Sequence, residues 1–134
     1  MTKIAKQFII VDDDRFSNLL SKIVLGKLFE GVEIKDFLVP ELALDYIKAE
    51  FKYRETTEKT MLFLDINMPT LSGWEFLHSF NSLPDSIKKQ FDIYMLSSSI
   101  DPADIERAKL NPLVTDFIEK PINREALERL FGRE

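Results

Sequence analysis

Four short strand-like runs in this 134-residue chain lead to side chains that can do chemistry. Gln7 to Val11 runs into Asp12, Asp13 and Asp14, and Met61 to Leu64 runs into Asp65. Ile93 to Leu96 leads to Ser97, Ser98 and Ser99, and Val114 to Ile118 continues through Glu119 to Lys120 and Pro121. If the runs are parallel strands in a sheet of order 2-1-3-4-5, these side chains converge outside the carboxyl ends of the strands, where open α/β sheets bind ligands. Three carboxylates at one rim repel each other at neutral pH, so a pKa rises or a cation is held. Oxygen donors alone favour a hard ion such as Mg2+, bound by one or two carboxylates beside phosphate oxygens. An ammonium and a hydroxyl at the same point complete what phosphoryl transfer to a carboxylate needs. The cation and Lys120 neutralise the equatorial oxygens, Ser97 donates a hydrogen bond, and Asp65 attacks in line to give an aspartyl phosphate.

The elements that must position these groups are legible as an alternation of strands and helices. Gln7 to Val11 reads as a strand buried on both faces. Phe16, Leu19, Leu20, Ile23, Val24 and Leu28 recur at helical spacing, and Gly31 follows as a stop. Val32 to Leu38 is a second strand. Pro40 suits a first helical turn, and Leu42, Ala43, Tyr46 and Ile47 form the apolar stripe behind it. Phe51 to Lys59, charged and Thr-rich, reads as a solvated loop or frayed helix end. Gly73 opens a third helix carrying Trp74, Phe76, Leu77 and Phe80, closed before Pro84 and expected to face the core. Asp101 and Pro102 start a fourth helix that ends near Asn111, because Pro112 biases its neighbour away from helix. Asn123 caps a last helix with Ala126, Leu127, Leu130 and Phe131. Five strand–helix pairs with strands buried on both faces predict a parallel sheet with right-handed crossovers. The last helix ends close to residue 134, which predicts one domain without an output domain.

Composition narrows the function classes. With 23 acidic and 18 basic residues the net charge is −5, so no broad positive field exists to hold nucleic acid or an anionic membrane. The chain has no cysteine, which excludes disulfides, thiolate metal sites and Cys nucleophiles. The run Phe8 to Val11 is too short for a signal-peptide core, and no segment reaches membrane-spanning length, so a cytoplasmic protein is expected.

The segments FIIVDDD (8–14), FLDINMP (63–69), MLSSS (95–99) and FIEKP (117–121) resemble, in order and spacing, those of response regulator receiver domains of two-component signalling. The resemblance implies a doubly wound α/β fold of the flavodoxin-like kind with helices on both faces. It implies Asp13 as a direct metal ligand, Asp12 as one acting through water, and Asp65 as both phosphoacceptor and metal ligand. Asn67 would give its backbone carbonyl to Mg2+. Ser97 would be the hydroxyl that moves onto the phosphoryl group, Lys120 its ion-pair partner, Phe117 the aromatic switch, and Lys120–Pro121 a cis bond. The expected donor is a sensor histidine kinase, and the expected recipient is a target protein or a histidine phosphotransfer protein. The chain would then catalyse only its own phosphorylation and dephosphorylation.

Three features depart from the common pattern: Phe117 where many members carry Tyr, Asn111-Pro112 before the fifth strand, and a long segment around Lys52 to Lys59. Asn67 and Ser99 lie where side chains can gate the attacking water. Asp14 reads as a helix cap outside the site. His78, without a partner acid nearby in sequence, reads as a surface or boundary residue. Two rival functions remain at this stage: a phosphorylation-independent interaction module, and a Mg2+-dependent phosphohydrolase using Asp65. The second usually needs an acid two residues after the nucleophile, where this chain has Asn67. A flavin site is disfavoured because the first loop lacks small, hydroxylated residues to wrap a phosphate.

Overall fold

A computed structural model of the chain describes residues 7–54, 58–99 and 101–131. Five strands form one parallel sheet of order β2-β1-β3-β4-β5. They are β1 (Gln7–Val11), β2 (Glu33–Phe37), β3 (Thr60–Asp65), β4 (Phe91–Ser97) and β5 (Val114–Glu119). The helices are α1 (Arg15–Leu28), α2 (Pro40–Phe51), α3 (Gly73–Asn81), α4 (Asp85–Lys88), α5 (Pro102–Leu110) and α6 (Arg124–Phe131). The one-turn α4 adds a sixth helix to the five expected, begun after Pro84 and holding Ile87 in the core.

The strand period of two divides the core. Phe8, Ile10, Met61 and Phe63 face one layer with Leu25 and Leu127, while Ile9, Val11, Leu62 and Leu64 face the other with Ile47, Phe76 and Phe80. Among the strands, β1 and β3 are buried along their whole length and β4 nearly so. The edge strands β2 and β5 are not, correcting the expectation of burial on both faces; each has a single neighbour and reaches solvent.

Three further expectations change. Phe16, Leu19 and Ile23 point outward, Phe16 with 66% of its surface exposed, and the inner face of α1 is instead Asn18, Ser21 and Leu25. The helix is rotated so that polar side chains of its first turns meet the end of β1. Phe51 is a core residue closing α2, with its ring 4.6 Å from that of Phe91, so the loop begins after it; residues 55–57 of that loop lie outside the described residues. Trp74 is half-buried rather than core. Its indole N–H donates to Asp104 Oδ1 at 3.3 Å, and Arg107 lies 4.5 Å over the ring. His78 is exposed, as expected for a surface residue.

The caps read from sequence are present. Asp14 Oδ1 accepts from the amides of Phe16 and Ser17, Asp101 from Ala103, and Asn123 from Ala126, and α5 ends at Asn111 before Pro112. Ser72 and Glu75 form a capping box at α3. Gly73 then packs directly on the end of β3: a Cβ there would lie 2.6 Å from the Asp65 carbonyl oxygen and 2.9 Å from Ile66 Cα. Both neighbours are backbone and cannot step aside. Gly73→Ala is therefore expected to destabilise by roughly 1–3 kcal/mol. Gly26→Ala, with nothing within 4 Å of its Cβ, should stabilise α1 by about 0.5–1 kcal/mol. Thermal melts of the two variants check the contrast, and a neutral Gly73→Ala would refute the close approach.

Candidate functional site

Register explains why the strand-end side chains meet. Val11 pairs with Leu64, so Asp12 and Asp65 follow at the same level on adjacent strands. Asp65 pairs with Leu96, and the next residue of β4, Ser97, pairs with Glu119, which precedes Lys120. The Lys120 amide donates to the Ser97 carbonyl at 2.8 Å, holding the β5 exit beside β4. The Lys120–Pro121 peptide is cis.

Carboxylate oxygens of Asp12, Asp13 and Asp65 all lie within 4.8 Å of one another. Asp12 and Asp65 are buried, whereas Asp13 is exposed at the mouth. Lys120 Nζ is 2.8 Å from Asp12 Oδ2 and 3.5 Å from Asp65 Oδ1. Burial, reinforced by the Asp12 charge, raises the Asp65 carboxyl from 3.8 to about 6, against the opposing pull of Lys120 and the Asn67 amide. Burial alone lowers the pKa of Lys120, but the hydrogen bond and charge of Asp12, joined by Asp65, outweigh it and raise the pKa above 10.5.

Asp12 is the most heavily bonded of the acids. Its Oδ1 accepts from the Asp14 amide at 3.0 Å, and its Oδ2 accepts from the Ser17 hydroxyl at 2.9 Å as well as from Lys120. The Asn18 side-chain amide holds the Asp12 carbonyl at 3.0 Å. Ser17 and Asn18 went unmarked in the sequence reading; the available signal was a pair of small polar residues interrupting an apolar helix just after the acids. The oxygen-only donor set, with exposed Asp13 beside two buried acids, fits a divalent ion such as Mg2+.

The remaining candidates lie around this centre without all touching it. The Ser97 hydroxyl donates to the Ser99 carbonyl at 2.7 Å and accepts from the Ser99 amide, so it is folded into its own loop rather than onto Asp65. Asn67 and Ser99 are exposed. Phe117 is half-buried on β5 beside a cavity of about 270 Å3 also lined by Ile105, Ala108 and Lys109.

The sequence matches the response regulator receiver domain family over residues 8–131. The chain belongs to that family. A response regulator receiver protein from Dyadobacter fermentans superposes with a TM-score of 0.79 at 29% identity, covering 95% of this chain and 98% of that one. A two-component response regulator from Cytophaga hutchinsonii gives 0.83 at 28% identity, covering 96% and 95%. The fold is shared with the chemotaxis protein CheY4 of Vibrio cholerae, TM-score 0.73 at 22% identity, covering 95% and 96%. No curated protein matches the sequence. Among the described residues, no helix is long and apolar enough to cross a membrane.

Because the Asp65 pKa is higher in the folded protein than in the unfolded chain, its protonation favours the fold, and that stability is lost as pH rises through about 6. In the presence of a chelator, Asp65→Asn should be more stable than wild type near neutral pH by on the order of 1–3 kcal/mol, and the gap should close below about pH 4. Melting curves at the two pH values check this; a less stable Asp65→Asn at neutral pH contradicts it.

Proposed function

We propose that this receiver domain accepts a phosphoryl group on Asp65 in a Mg2+-dependent reaction and signals through contacts that depend on it. The convergence of Asp12, Asp13 and Asp65 around Lys120 carries the reading. Asp65 presents a carboxylate oxygen in line with the phosphorus of a phosphohistidine. The O–P bond forms as the N–P bond breaks, and the imidazole keeps the bonding pair and takes up a proton. Lys120, already 3.5 Å from Asp65 Oδ1, neutralises a phosphoryl oxygen. Asp13 and Asp65, with the Asn67 carbonyl and Asp12, would hold Mg2+, which would supply the second positive charge. Ser97 exchanges its bond to Ser99 for one to the phosphoryl group, and Phe117 shifts against α5 to change the surface offered to a partner.

The donor is a sensor histidine kinase, and the recipient of the signal is a target protein or a histidine phosphotransfer protein. The setting is cytoplasmic, where the kinase's phosphoryl donor is available. The domain turns over no external substrate: Asn67 stands where a hydrolase of this chemistry needs its second acid. A donor histidine must come within bonding distance of Asp65, so its helix must rest on the rim of the pocket. The outward Phe16, Leu19 and Ile23 of α1, which starts three residues after Asp12, offer an apolar seat there.

Intact mass after incubation with a small acyl phosphate tests the chemistry. Wild type should gain one phosphoryl group only when Mg2+ is present, and Asp65→Asn should gain none. No gain in wild type would favour an interaction module independent of phosphorylation. For the docking face, Ile23→Asp should lower the ratio of kinase-driven to small-donor phosphorylation by about tenfold or more. An unchanged ratio removes α1 from the donor interface.

A further inference from the structure

Asp12 is 0% exposed, and its neighbours use most of its capacity to accept hydrogen bonds. An ionised carboxylate offers about four acceptor positions. The Asp14 amide takes one on Oδ1, while the Ser17 hydroxyl and the Lys120 ammonium share Oδ2. Ser17 is itself fixed, because its amide donates to Asp14 Oδ1 at 3.3 Å. Its neighbour Asn18, 1% exposed, spends its side-chain amide on the Asp12 carbonyl, and its Oδ1 has no hydrogen-bond partner among the described residues. A buried orphan acceptor costs about 1–3 kcal/mol, so this face of α1 is shaped toward Asp12 at some expense to packing.

We propose that Ser17 is a positioning residue for the phosphoryl pocket, holding the Asp12 carboxylate in place so that Lys120 is free to leave it. The inference deepens the phosphoacceptor reading and rests on it. Phosphorylation of Asp65 draws Lys120 from Asp12, 2.8 Å away, toward oxygens beyond Asp65, 3.5 Å away. When Lys120 moves, Oδ2 of a fully buried carboxylate would lose its donor. The Ser17 hydroxyl stays and keeps that oxygen satisfied. It also locks the carboxylate plane, which would fix the face Asp12 turns toward Mg2+.

Ser17→Ala removes the hydroxyl without loss of helix propensity, and Ser17→Thr keeps it. Calorimetric titration with Mg2+ alone, well below the melting midpoint, is expected to show Ser17→Ala binding about tenfold more weakly than wild type, with Ser17→Thr within about twofold of wild type. With a small acyl phosphate at saturating Mg2+, Ser17→Ala should lower the maximal phosphorylation rate while the half-saturating donor concentration stays near the wild-type value. A merely structural role would lower the melting temperature of Ser17→Ala without weakening Mg2+ binding well below the midpoint or dividing the kinetics this way. Equal Mg2+ affinity in wild type and Ser17→Ala, or Ser17→Thr behaving as Ser17→Ala, overturns the assignment of Ser17 alone. If wild type binds no Mg2+, the phosphoacceptor reading falls and the inference with it.

Discussion

Three carboxylates share a space less than 5 Å across with Lys120 as their close cationic partner, and the surrounding structure depends on managing that repulsion. Left alone, buried like charges protonate or push apart. Here Asp65 rises to a pKa of about 6 while Asp12 is held by an amide, a hydroxyl and an ammonium. The acids thus present an oxygen-only donor set that fits a divalent ion, with Asp12 fixed by three hydrogen bonds.

The scaffold meets this demand through rigid parallel strands. Alternating side chains on β1 and β3 anchor the sheet to both helical layers, so the strand ends cannot slide without exposing core residues. Gly73 brings α3 against the Asp65 carbonyl, and Ser72 with Glu75 closes the helix start just before it. The ends of β4 and β5 are bonded differently. The Ser97 hydroxyl is bonded to Ser99 of its own loop, and Phe117 sits half-buried beside unfilled space near α5. Rigidity at the acids and slack beside them would suit the switch proposed above.

The two faces of α1 follow from a single rotation of the helix. Its inner face turns Ser17 and Asn18 toward Asp12, which leaves Phe16, Leu19 and Ile23 in solvent beside the pocket mouth. The same rotation that satisfies a buried carboxylate therefore creates an apolar surface. Between α3 and α5, Trp74 makes a comparable compromise, with its ring under Arg107 and its N–H on Asp104 instead of in the core.

The ends of β1, β3 and β4 were readable from sequence because a both-face-buried strand is a continuous apolar run, and Asp12, Asp65 and Ser97 mark where those runs stop. The caps at Asp14, Asp101 and Asn123 were readable for the same local reason: a helix start needs a side-chain acceptor within three residues. Sequence alone thus determined the alternation of elements, the acids and the lysine that meet at the strand ends, and the oxygen-only character of the donors, but not the Ser17 and Asn18 that hold Asp12. Tertiary structure decided the rotation of α1, the place of Trp74, the exposure of the edge strands, and the direction of the Ser97 hydroxyl. These depend on which partner lies nearest in space. A periodic apolar stripe ranks faces by hydrophobicity, but a buried carboxylate demanding hydrogen bonds outranks the burial of Phe16, and that demand exists only once β1 and β3 stand side by side.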